Sequence, residues 1–101
     1  MKLVFIFSID EGKQTELYAL LSKVGVSTFS ESSVKGIYTD VNPASLFFSN
    51  KSITATSKMD IVAASDEQAT EIILAINTLN TTKGKFPIHA YTVDIENMTK
   101  A

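Results

Sequence analysis

Residues 3–9 constrain the fold more than any other stretch. Leu3, Val4, Phe5, Ile6, Phe7, Ser8 and Ile9 are apolar but for one serine. In a strand, alternate side chains point to opposite faces, so Leu3, Phe5, Phe7 and Ile9 line one side and Val4 and Ile6 the other. A strand of this kind must be covered on both sides. It also follows Lys2, as the apolar core of a secretory leader would. The run is too short for that, however, and Asp10-Glu11 stand where small residues would be cleaved. The expectation is a strand of a cytoplasmic protein, and no apolar run approaches membrane-spanning length.

The rest of the chain supplies helices to cover one side. Asp10 is suited to cap a helix, and Leu17, Leu20, Leu21 and Val24 recur at helical spacing until Gly25 offers a left-handed stop. This predicts a helix over 11–24. Residues 26–38 mix β-branched, aromatic and small polar side chains, as a strand with one wetter face does, and Gly36 marks a bulge in it. Residues 39–57 lose periodicity, contain Asn42-Pro43 and are rich in Ser, Thr and Asn, so they read as a long loop carrying the apolar triplet Leu46-Phe47-Phe48. A third strand follows over 59–64. Ser65-Asp66-Glu67-Gln68 has the form of a capping box, ahead of Ala69, Ile72, Ile73, Ile76 and Leu79 at helical spacing. Turn residues from Asn80 to Lys85, around Gly84, lead to a fourth strand over 86–93, with Pro87 near its start, and a polar tail over 94–101.

The order β-α-β-β-α-β, with two helices of similar length, predicts an α+β, ferredoxin-like sandwich: a four-stranded antiparallel sheet with two helices on one face. The 101 residues fit a single domain, 1–101. Two layers leave the other sheet face open, and the strands do not make it wholly polar. An apolar face of this size marks an association surface, and a closed homo-oligomer is the common solution.

Charge narrows the function. The formal net charge is −2, so no basic field draws the chain to nucleic acid or to an anionic membrane, and neither nucleic-acid binding nor direct membrane insertion is expected. All nine basic residues are Lys. An anion site here must use lysines and backbone amides, without the bidentate fork of Arg. The absence of Cys removes disulfides, thiolate metal cages and cysteine nucleophiles. No nucleophile elbow, phosphate-binding P-loop, dinucleotide fingerprint or metalloprotease spacing occurs, so nothing positive supports an enzyme and no resident cofactor is indicated.

The layout resembles the PII-like signalling proteins, the superfamily of the nitrogen regulatory protein P-II, as a divergent member. A helix ending at Gly25-Val26, a long loop between the second and third strands, and a second helix opened by Asp66-Glu67-Gln68 carry the resemblance. The stretch Met59-Asp60-Ile61-Val62-Ala63-Ala64-Ser65-Asp66-Glu67-Gln68 is similar to the PII third strand and the start of its second helix. Lys83-Gly84-Lys85-Phe86-Pro87-Ile88-His89-Ala90-Tyr91-Thr92-Val93-Asp94 stands where those proteins have a phosphate-binding loop and a last strand. The resemblance implies a cytoplasmic homotrimer with ligand sites in the clefts between subunits. It implies a small, anionic effector, a nucleotide or another, held by Thr82, Lys83, Gly84 and Lys85, with Thr81 at the start of that loop. Gly36 and Tyr38 would lie at the base of a mobile loop, 39–57, that reports the effector to a partner such as a membrane transporter. Leu46, Phe47 and Phe48 would touch that partner. The chain departs from the pattern in two places. The C-terminal Glu96-Asn97-Met98-Thr99-Lys100 holds no Arg for a nucleotide, and Tyr38 stands at the base of the loop where the family's modifiable Tyr stands at the tip.

Each candidate has a plainer alternative. Lys83-Gly84-Lys85 can be a solvated turn whose lysines complement a helix end. Leu46-Phe47-Phe48 can fold back and bury itself. His89, the only His, lies in mid-strand without sequence-near partners, so a packed or interface role is expected over catalysis. Met59 and Met98 are soft donors but read first as gap-fillers, and no metal site is assigned. Two other functions share the strand order: a metal-tolerance or efflux accessory protein, as CutA-like relatives are, and an ACT-like small-molecule-binding module.

Overall fold

The computed structural model of the chain describes residues 1–9, 14–38, 53–81 and 87–100. Strand β1 spans Lys2–Ile9, helix α1 Gln14–Val24, β2 Ser30–Tyr38, β3 Ile53–Ala64, helix α2 Asp66–Asn80 and β4 His89–Asp94. The strands form one antiparallel sheet in the order β2-β3-β1-β4. This is the ferredoxin-like arrangement expected from the sequence.

The alternation in β1 decides which residues meet the helices. Val4 and Ile6 are fully buried, opposite Val62 and Asp60 of β3, and Ser8 follows them inward. Leu17 and Leu21 from α1 and Ala69, Ile72 and Ile76 from α2 close over them, with Ala64 and Ile88 at the margins. Burying side chains of this size stabilises by roughly 1.5–3 kcal/mol each. The other face of β1 points away from the helices. There Leu3, Phe5 and Phe7 pair with Ala63, Ile61 and Met59 on one side and with Val93, Tyr91 and His89 on the other. Phe7 meets Tyr91 edge to face at 6.1 Å.

The end of α1 and the start of α2 follow from their residues. Gly25 stands at φ +97°, where a Cβ would be strained, and its N–H donates to the Ser22 carbonyl at 3.0 Å while Val26 N–H reaches Leu21 at 2.9 Å. These two bonds form a Schellman stop. Ser65 and Gln68 make the capping box in both directions, at 3.1 and 3.0 Å. Gln68 also donates to the Val24 carbonyl at 3.4 Å, so one side chain joins the end of α1 to the start of α2.

Three boundaries differ from expectation. The expected loop over 39–57 is too long, because β3 begins at Ile53 and 53–57 pair with 34–38 of β2. Small Ser and Thr residues read as loop from composition, but main-chain ladders do not require apolar side chains. Residues 26–29 stay outside β2, which starts at Ser30, and β4 starts at His89. The Asp10 cap lies outside the described residues.

Candidate functional site

The register fixes where each candidate lies. β1 ends at Ile9 opposite Ser57, so residues 53–56 of β3 run beyond it, paired only with 35–38 of β2. The two strands continue as an arm past the end of the sheet. Gly36 and Tyr38 belong to that arm, opposite Ala55 and Ile53. The ladder passes through Gly36 in unbroken register, without the bulge expected there, and Gly36 is in phase with Met59 on the face that the helices leave uncovered.

The second half of the candidate site leaves the fold elsewhere. Thr81 caps the end of α2, its N–H and hydroxyl both donating to the Thr78 carbonyl. Thr82, Lys83, Gly84 and Lys85 lie outside the described residues, as do Leu46, Phe47 and Phe48. What is described is the frame on either side of 82–86. The Asn80 amide donates to the Ile88 carbonyl and accepts from the Ile88 N–H, both at 2.8 Å. One side chain thus pins the end of α2 to the lead-in of β4. Sequence reasoning read Asn80 as a generic turn residue. Its signal was weak, since any polar residue suits a turn but only a primary amide can donate and accept in parallel.

The two halves stand at the same end of the sheet but on opposite edges. His89 is level with Phe7 near the end of β1 from which the arm projects, yet β3 and β1 lie between β2 and β4. At about 4.8 Å per strand, the halves are roughly 14 Å apart across the sheet. No single copy brings Gly36 and Tyr38 beside the β4 lead-in. His89 and Met59 flank Phe7 on the same rung, two strand spacings or about 10 Å apart, with Phe7 between them on the same face. His89 is exposed, so it is not packed within the chain, and Met98 is exposed as well. Among the described residues no three His, Cys, Asp or Glu groups gather as a metal site would need.

A different polar cluster lies under α1. Asp60 is on the helix-covered face, opposite Ile6 and Glu31, and is 1% exposed. Neither of its carboxylate oxygens meets a hydrogen-bond donor among the described residues. Burial, then the neighbouring Glu31 carboxyl, pushes Asp60 up to about 7. Glu31 moves the opposite way, lowered by the neighbouring Asp60 carboxyl and by Tyr18, whose hydroxyl donates to Oε2 at 2.5 Å. Lys58 shares the face and donates to Ser33 Oγ at 3.0 Å. The sequence did carry a signal for this cluster. Asp60 is in phase with Val62 and Ala64, so an acid occupies a core position of β3.

Among the described residues the helix layer carries open grooves. One of about 490 Å³ runs between α1 and α2 past Leu20, Val24 and Ala75, and one of about 190 Å³ lies between α2 and β4. Neither is lined by a predicted site residue.

No family model matches the chain, and no curated protein matches it by sequence. Solved structures match its shape over nearly its whole length. CutA of Pyrococcus horikoshii, solved in 3 M guanidine hydrochloride, superposes with a TM-score of 0.68 at 12% identity, covering 98% of this chain and 88% of that one. The GlnK–ATP complex of B. subtilis gives 0.69 at 19%, covering 96% and 85%. The periplasmic divalent cation tolerance protein CutA of Archaeoglobus fulgidus gives 0.69 at 16%, covering 99% and 89%. The fold is therefore the one shared by CutA and the PII protein GlnK, as the sequence resemblance implied. No described helix is long and apolar enough to cross a membrane.

Proposed function

We propose that the chain is a PII-like, non-enzymatic regulator of the cytoplasm that assembles as a homotrimer, binds a small anionic effector between subunits and reports it to a partner such as a transporter. The observation that carries the reading is the uncovered sheet face. Leu3, Phe5, Phe7, Met59, Ile61, Tyr91 and Val93 form one apolar surface, with Tyr91 58% and Val93 49% exposed. A surface of this composition is stable in water when a second copy covers it.

The geometry of the candidate site supports the same reading. The arm with Gly36 and Tyr38 and the frame around 82–86 lie on opposite edges, so a neighbouring copy is needed to bring one half to the other. Lys83 and Lys85 then supply the positive charge for the effector, and residues 39–52 with Leu46, Phe47 and Phe48 supply the reporting segment. GlnK, whose ATP complex has this fold, makes nucleotides the first effectors to test. The chain has no Arg, so ATP would rest on lysines and main-chain amides alone.

The likeness to CutA favours a second reading, a role in divalent cation tolerance. An ACT-like module would instead pair sheet edges in a dimer. One set of measurements separates the three. Mass in solution should be three times that of the chain, and a thermal-shift screen of ATP, cyclic dinucleotides, bicarbonate, carboxylates and divalent metals should respond to an anion. A monomer that answers to none of them overturns the proposal. A response to metals alone selects the CutA-like role, and a dimer selects the ACT-like one.

A further inference from the structure

The buried carboxyl under α1 is not used by effector binding, and it stands where β2 joins the sheet. Asp60 of β3 and Glu31 of β2 are direct cross-strand partners. Two ionised carboxylates in that position repel and cannot hydrogen-bond each other, whereas one proton between them makes a bond across the two strands. Glu31 is ready to accept it, because its Oε2 is held by the Tyr18 hydroxyl from α1. No other donor reaches Asp60 among the described residues.

We propose that Asp60 and Glu31 form a one-proton latch, which fastens β2 to the sheet beneath α1 and loosens it when the proton leaves. The groups facing Asp60 are Glu31 from β2, Lys58 from β3 and, through Glu31, Tyr18 from α1; β1 contributes only Ile6 beside it and Ser8 beyond. Lys58 tempers the repulsion, but its effect on Asp60 is smaller than those of burial and Glu31, and its ammonium donates to Ser33 Oγ. A divalent cation is a poorer occupant than a proton. It seeks six or more oxygen ligands, and two carboxylates beside an ammonium group fall short.

The consequence reaches the arm. β2 is an edge strand whose only strand partner among the described residues is β3, so the bond at its first turn of register controls how firmly 30–38 stay attached. The sign follows from proton counting. The latched state keeps a proton on Asp60 up to about pH 7, whereas a freed Asp60 loses it near 4, so the latched state binds more protons between those values. Attachment of β2 therefore weakens as pH rises through that window and is constant above it. This regulation is intrinsic to the chain and does not depend on the effector or on the assembly proposed above.

Amide hydrogen exchange of β2 in the full chain, corrected for the intrinsic chemical rate, tests it between pH 5 and 8. The opening constant of residues 30–38 should rise by up to about tenfold per pH unit below 7 and then level off. Amides of α2 in the same samples should show no such rise. Asp60→Asn should flatten the β2 profile, since its carboxamide donates to Glu31 at every pH. Should that variant not fold, Glu31→Gln, at an exposed position, should flatten it as well. The carboxyl carbon of Asp60 should titrate near pH 7 by NMR. A midpoint below 5, or a β2 profile in the variants equal to that of the natural chain, overturns the latch. So does protection of β2 at pH 8 by Mg²⁺ or Ca²⁺ in the natural chain but not in Asp60→Asn, which would mean that a cation bridges the pair.

Discussion

The surroundings of α2 and of β2 contrast in how their polar groups are satisfied. Around α2 the matches are close. Ser65 and Gln68 cap its start, Gln68 reaches Val24, and Asn80 locks its end to Ile88. Beside β2 the core position of β3 that should be apolar holds Asp60, and most of the side chains of β2 are exposed. One region is fixed by several side-chain locks, and the other by its main-chain ladder to β3 with few side-chain bonds beside it, Tyr18 to Glu31 and Lys58 to Ser33. The proposed sensing role would use both, a frame that does not move and an edge that can.

The contrast is broken most sharply in the core. Ile72 of α2 is fully buried, so Ile72→Ala should lower the unfolding free energy by about 2–5 kcal/mol. Ile37 on β2 is 62% exposed, and Ile37→Ala should change it by less than about 0.5 kcal/mol. Urea titration of both variants reads the difference directly. Equal losses would mean that β2 is packed as firmly as α2, and the contrast would fall.

Next in size is the Asn80 lock. Asn80→Ala strips two partners from Ile88, which is 3% exposed, and should cost about 2 kcal/mol. Asn80→Asp keeps the acceptor and loses the donor, so it should fall between the two. Because Asn80 sets the frame around 82–86, Asn80→Ala should also weaken any effector response seen in the thermal-shift screen. Ser65→Ala follows at about 1 kcal/mol, the usual cost of losing a cap. It should leave the effector response intact, since the cap is at the other end of α2.

These elements also show what sequence can and cannot carry. The capping box and the Gly25 stop were legible because each depends on residues adjacent in the chain. The helical stripe of Ile72 and Ile76 was legible for the same reason. The start of β3 at Ile53 was not, because its evidence is the pairing with Tyr38 fifteen residues away. The phase of Asp60 with Val62 and Ala64 was legible, but its pairing with Glu31 and the Asn80–Ile88 bonds depend on register across a gap, which no local pattern reports. The candidate anion loop rests on two lysines beside a glycine and on resemblance, and the structure describes the residues that flank it.

The smallest expected effect lies at the far margin of the sheet. Lys2 and Asp94 face each other across β1 and β4 and form an ion pair at the surface, which raises the Lys2 pKa and lowers that of Asp94. A carboxylate lowered in the folded state stabilises above its unfolded value and loses that contribution as pH falls through the folded one. The Asp94 contribution is therefore present at neutral pH and lost in acid, opposite in direction to Asp60. Both partners are open to solvent, however, so screening leaves the pair little weight. Lys2→Met should melt within the scatter of replicate scans at neutral pH, and added salt should not separate it from the natural chain. A clear loss would mean that this edge is buried in the assembly, where desolvation would strengthen the pair, and would extend the interface from the open face of the sheet around to its β4 edge.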